Sequence, residues 1–166
     1  MGFELVAVQW LPTGPSGRPT LRLSIDGPDG VDLDDTARVN QRLSLLLDEA
    51  DPIPSAYDLE VSSPGIDRPV QRFVDFSRFS GFRAKITLEE GFPRRRYTGE
   101  LRGTEVGGSD ASPPGETVLI EVDGVVHRLP FVHIETAHLV LDLAAYARLA
   151  PPKLRKEDRE TVDVEG

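Results

Sequence analysis

The residues that could do chemistry in this 166-residue sequence are few, and most are in the wrong company. His127, His133 and His138 are the only imidazoles, six and five residues apart on what read as separate short strands. With no HExxH helix and no cysteine partner, they read as strand-face or rim histidines rather than metal ligands. Ser62 and Ser63 could offer a nucleophile, yet VSSPG lacks the glycine frame of GxSxG. Glu89-Glu90, at a hairpin end, reads as a solvated pair rather than an acid/base dyad. The chain has no cysteine, which removes thiolate metal sites, disulfides and a thiol nucleophile together. Neither GxxxxGK[ST] nor GxGxxG occurs, so those two phosphate-cradling loops are excluded. The four residues Gly27-Pro28-Asp29-Gly30 satisfy the GxxG pattern of an RNA clamp, but that clamp joins two helices and wants cationic neighbours. Here the segment joins a strand to a helix and reads as a turn. No catalytic residue, cofactor site or metal site is assigned.

What remains is Arg94-Arg95-Arg96 beside Tyr97, a cationic cluster at a turn. It could meet RNA phosphate, with guanidinium stacking available, and equally it could be a hairpin tip kept soluble.

The elements that would position these groups come from periodicity. Residues 3–10, FELVAVQW, and 20–26, TLRLSID, are β-rich runs joined by LPTGPSGRP, which predicts a hairpin with Leu21, Leu23 and Ile25 on one face. Asp32 is placed to N-cap a helix whose first turn carries Asp34 and Asp35 against the positive helix end. Val39, Leu43, Leu46, Leu47 and Ala50 then form an apolar stripe. Arg38 and Arg42 fall on the opposite side, solvated and screening the acidic first turn. Asp51-Pro52-Ile53-Pro54 stops the helix, and Tyr57, Leu59 and Val61 alternate with Asp58 and Glu60 as a half-buried strand. After Pro69, FVDFSRF allows at most a short helix. FRAKITLEE, RYTGELRGTEV, ETVLIEV, VVHRLPF and AHLVLDL follow as short strands, a pattern that predicts a small β-barrel. GGSDASPPGE reads as a long mobile hairpin tip. The expected organisation is an α+β domain over 1–70, a β-barrel over 71–143, and a charged, proline-broken tail over 144–166 with a helical start.

Composition narrows the partners. Hydrophobic residues make up 39% of the chain, enough for small cores, and fifteen glycines with fourteen prolines make it loop-rich. The net charge of −9 repels a phosphate backbone at long range and disfavours non-specific RNA binding. It favours basic partners, leaving RNA contact to local arginine clusters. The start MGFELVAVQW carries neither a basic n-region nor a sufficient apolar run for a secretory signal, and Val6 stands where myristoylation wants Ser or Thr. No apolar stretch approaches the roughly 18 residues a membrane span needs, so a cytoplasmic location is expected, without a membrane partner.

Between the two expected domains lies the most unusual stretch, YDLEVSSPGIDRPV. Pro64-Gly65 suits positions i+1 and i+2 of a type II turn, with glycine at positive φ. Ser62 and Ser63 can bond turn amides, Asp67 can hold Arg68 or a neighbouring N–H, and Pro69 keeps the strand from resuming. The result would be a stiff exit that sets direction.

LEVSSPGIDRPV, preceded by DPIPSAYD and followed by FSRFSGFRAKI, resembles the signature of the bacterial ribosome maturation factor P family (RimP). The likeness extends through GFELVAVQW and LRLSIDGPDGVDLDDTARVNQRLSLLLD and on to about Leu143. It implies a KH-like α/β N-terminal domain and an SH3-like or Sm-like barrel, without enzymatic activity. It also implies a role in 30S assembly: binding the immature small ribosomal subunit and assisting entry of a basic ribosomal protein, the twelfth of that subunit, with local rRNA contact. By the resemblance, Ser62, Ser63, Pro64, Gly65, Asp67 and Arg68 carry the motif, as a structural joint or as a contact with partner or RNA. A rival reading is a non-ribosomal adaptor that binds peptides through the barrel. Family members usually have a helix before the first strand, and here the strand comes almost at once. One face of the first sheet, including Phe3, Leu5 or Trp10, is therefore expected to be exposed.

Overall fold

The computed structural model describes residues 2–107 and 115–149. Most of the expected hairpin tip at GGSDASPPGE, and the tail after Leu149, lie outside the described residues. The chain divides into two units, which meet in sequence between Pro64 and Gly65, the second running to Arg148.

In the first unit β1 (Glu4–Leu11) and β2 (Thr20–Asp26) pair antiparallel, as the two β-rich runs predict. Helix α1 (Leu33–Ala50) then crosses over, and β3 (Asp58–Ser62) returns parallel to β2, giving the order β1-β2-β3. The helix begins where its acidic signals lie. The Asp32 side chain accepts from the Asp35 N–H at 2.8 Å, and the Asp35 carboxylate accepts from the Asp32 N–H at 3.2 Å, closing a reciprocal cap. Arg38 pairs with Asp35 one turn on. The helix ends at Asp51, in the left-handed region at φ 40°, whose N–H bonds back to the Leu47 carbonyl.

The apolar stripe on α1 is narrower than its spacing predicts. Val39 is buried and Leu43 and Leu47 half-buried, but Leu46 and Ala50 are exposed. The helix packs on β3, at one edge of the sheet, so only a thin stripe finds cover. At the other edge Leu5, Val8 and Trp10 of β1 remain 46%, 45% and 44% exposed, beside Ile25, Leu23 and Leu21 in the ladder. Phe3 departs from the expectation: it is half-buried, close against Gly27, where a Cβ would meet its ring at 3.2 Å.

The second unit holds α2 (Phe73–Arg78) and five antiparallel strands: β4 (Arg83–Leu88), β5 (Arg96–Gly107), β6 (Gly115–Val122), β7 (Val125–Pro130) and β8 (Ile134–Leu139). A single 3-10 turn, Phe131–His133, links the last two, and α3 (Leu143–Leu149) follows. The sheet order is β7-β6-β5-β4-β8. This corrects the expected barrel: the sheet is open, because the outer edge of β8 is taken by residues 68–70 instead of β7. Val70 N–H donates to the Ala137 carbonyl at 2.9 Å and Leu139 N–H to the Arg68 carbonyl at 2.8 Å. The last strand also sits earlier than AHLVLDL suggests, since Asp142 leaves the ladder to cap α3 through the Ala145 N–H.

Phe76, Ile86, Leu88, Leu101, Val118, Ile120 and Leu139 form the core of this unit, with α2 laid on β5. The β6–β7 turn is Asp123-Gly124, both at positive φ, the two-residue connection that matches strand twist. Gly99 has a different purpose: a Cβ there would stand 2.0 Å from the Glu121 carbonyl oxygen of the neighbouring strand. No helix among the described residues is long and apolar enough to cross a membrane.

Two outcomes follow for stability. Gly99→Ala must push β5 from β6 and is expected to cost about 1–3 kcal/mol or more, read as a lower melting temperature. Hydrogen bonding from the Asp32 N–H, then from Arg38, holds the Asp35 carboxyl below its usual 3.8. Its contribution to the helix start is therefore complete above pH 3.8 and lost as pH falls through the lower folded value. Circular dichroism of wild type against Asp35→Asn should show the two converging in acid.

Candidate functional site

The residues Ser62 to Arg68 do not gather into one pocket-like group within either unit. Ser62 ends β3, opposite Ser24, and Ser63 is exposed beyond it. Pro64 is half-buried and Gly65 takes φ +65°, the left-handed conformation that its place after proline demands. Residues 66–67 bend, and Ile66 and Asp67 are exposed. Asp67 does not hold Arg68: its Oδ1 stands 3.7 Å from Nδ1 of His138 on β8.

Burial begins abruptly at Arg68, which is 7% exposed, and continues through Pro69 and Val70. These three residues form the short edge segment along β8. Pro69 pairs with His138, and the two hydrogen bonds flanking that pair belong to Arg68, Val70, Ala137 and Leu139. Proline thus occupies the position where no donor is asked of it, and its missing N–H costs nothing. The Arg68 guanidinium lies over the Phe79 ring at 5.2 Å.

Around α2 the structure assembles groups that sequence spacing did not single out. Asp75, 4% exposed, accepts from Arg72 Nε at 2.8 Å and Arg72 Nη2 at 2.9 Å, and lies 3.9 Å from Arg78 Nη1. Arg78 also stands over Phe79, 5.3 Å from its centroid. Phe79 meets Phe82 edge-on at 6.2 Å, and Arg148 of α3 covers Phe82 at 4.8 Å. The spacing of Arg72, Asp75 and Arg78 at three-residue intervals on a helix could have revealed part of this arrangement. Arg68 and Arg148, far away in sequence, could not have been found that way.

The Arg94-Arg95-Arg96 run is dispersed. Arg95 Nη2 bonds Glu135 at 3.0 Å, Nη1 lies 3.9 Å from Glu90, and Nε bonds the Leu88 carbonyl at 3.0 Å. Arg94 and Arg96 are exposed, Arg94 over the Tyr97 ring at 4.6 Å. Tyr97 in turn faces His127 at 5.2 Å. His133 sits beside Phe92, 3.0 Å from Glu89, so the three histidines occupy three separate settings.

Arg68→Ala should destabilise the second unit by about 1–3 kcal/mol through lost packing over Phe79, read as a lower melting temperature. Lysine at this position is expected to restore little, because it has no flat face to lay on the ring. A melt that both variants leave unchanged would contradict this placement.

Residues 1–67 match the family model described as the RimP N-terminal domain. The match covers β1, β2, α1 and β3 and ends at Asp67. The first unit of this chain therefore matches the RimP N-terminal domain, and that match supports the RimP family.

Proposed function

We propose that this protein is a non-catalytic, cytoplasmic assembly factor of the small ribosomal subunit, binding the immature 30S particle and assisting entry of a basic ribosomal protein, the twelfth of that subunit. The observation that carries the reading is the match of residues 1–67 to the RimP N-terminal domain. With it comes the expectation that the first unit is KH-like.

The distribution of charge supports the partner's chemistry. Residues 1–64 carry four arginines and no lysine against eleven carboxylates, whereas residues 65–148 carry eleven cations against twelve carboxylates. The acidity is concentrated on the first unit. An acidic unit draws a basic protein towards it and yields that protein readily once RNA phosphates compete for the same cations. Such a chaperone needs no chemistry, only a fast, weak and salt-sensitive grip. Ser62, Ser63, Pro64, Gly65, Asp67 and Arg68 serve this role as a joint: a left-handed glycine, then a proline-bearing segment seated on β8.

Co-sedimentation with immature small subunits tests the reading directly. The protein should travel with the precursor particle and be absent from the mature one. Its association rate with the basic ribosomal protein should fall steeply as salt rises. A rate indifferent to ionic strength would remove steering, and failure to sediment with any precursor would remove the assembly role.

A further inference from the structure

Alternation decides which side chains of the second unit's sheet point away from its core. On β4 the buried Ala84, Ile86 and Leu88 leave Arg83, Lys85 and Thr87 on the opposite side. Register then lays three rows across the neighbouring strands: Thr136, Thr87 and Arg96; His138, Lys85 and Thr98; Arg83 and Glu100. Arg83, Lys85 and Arg96 are exposed, and among the described residues none of their side chains makes an ion pair or a hydrogen bond. The sheet's other cations are matched: Arg102 by Glu100 and Glu121, Arg128 by Glu105, Arg95 by Glu135 and Glu90. Glu100 faces Arg83 across the ladder, yet its carboxylate goes to Arg102 at 2.7 Å. Asp67 stands by His138, 3.7 Å from Nδ1. Three unmatched cations thus share one corner of the sheet with three threonine hydroxyls.

We propose that this outer face of β4, β5 and β8 is an RNA-binding surface that grips the phosphate backbone through Arg83, Lys85 and Arg96. Side chains two apart on one strand stand about 7 Å apart, and diagonal neighbours on paired strands about 7–8 Å. The three cations therefore form a track along which successive phosphates can engage, rather than a point for one small anion. Guanidinium forks and threonine hydroxyls are donors suited to phosphate oxygens. Since no carboxylate holds these cations, none has to leave an ion pair before it binds. The unit's charges also nearly balance, so a polyanion meets far less repulsion here than on residues 1–64. The rows hold no Phe, Tyr or Trp, and His138 is half-buried, so bases find no platform and sequence preference is slight. Nor do they hold a large aliphatic side chain, which the core of a protein interface would call for. That the polyanion is ribosomal RNA rests on the assembly reading; the grip on phosphate does not.

The test uses the full chain, a labelled fragment of small-subunit rRNA, a scrambled RNA of equal length and poly-glutamate as a competitor. The variant Lys85→Gln with Arg96→Gln breaks no ion pair, so its melting temperature should match wild type. Its affinity for both RNAs should drop about 10- to 100-fold, and the slope of log affinity against log salt should shrink by about one to two. Arg128→Gln removes a charge from the same sheet that Glu105 already occupies, and should cost less than about threefold. Should the double variant fold poorly, Lys85→Gln alone serves, with a slope smaller by about one. No RNA binding by wild type, undiminished binding by the double variant, or an equal loss on Arg128→Gln would overturn the proposal. So would displacement of RNA by poly-glutamate as readily as by unlabelled RNA, which would make the face a dock for an acidic protein. A protein that sediments with precursor subunits while its double variant binds RNA normally sinks this face and spares the assembly role. RNA binding that depends on the face, without sedimentation, does the reverse.

Discussion

The second unit depends on one short pairing: Arg68, Pro69 and Val70 laid along the outer edge of β8. Without it β8 would present unpaired amides and carbonyls at the sheet margin, an invitation to further strand addition. The segment closes that margin with two hydrogen bonds, and Pro69 lies between them at the position where no donor is required. Arg68 anchors the segment through its guanidinium over Phe79. Phe79 follows directly on α2, so the same contact ties the start of the unit to the helix that roofs its sheet.

This arrangement gives several residues of the unusual run SSPGIDRP a structural place. Gly65 supplies the left-handed turn and Pro69 the place in the pairing that needs no donor, while the buried Arg68 lays its guanidinium over Phe79. Burying a guanidinium is costly unless its flat face and its donors are occupied. Its neighbourhood also brings Arg78 to the other end of the same aromatic contact, and from there the chain of contacts reaches Arg148.

The two units differ in electrostatic character more than in size. The first carries an excess of seven negative charges and the second only one, although both contribute to a chain of −9. In the first unit the apolar surface is incompletely covered, since α1 leans on β3 and leaves Leu5, Val8 and Trp10 at the far edge in contact with solvent. A unit that is both acidic and apolar in part has the composition suited to a basic, amphipathic protein guest.

Local chemistry was legible from the residues alone. The hairpin, the Asp32 cap, the helix stop before Pro52 and the left-handed Gly65 each depend on neighbours within a few positions, and spacing reports such neighbours faithfully. The RimP-like motif was legible for the same reason, being one continuous run. Spacing misjudged what distant residues do to one another. Arg94-Arg95-Arg96 looks like one cluster, but Glu135, forty positions away, takes Arg95 out of it. Five strands look like a barrel until residues 68–70 occupy the edge that closure would need. Order and type of the elements were therefore set by sequence, through forces that act within a turn or a strand. Which charges stand together, and whether the sheet closes, was decided only by tertiary register, because those contacts join residues that only the folded sheet brings within reach.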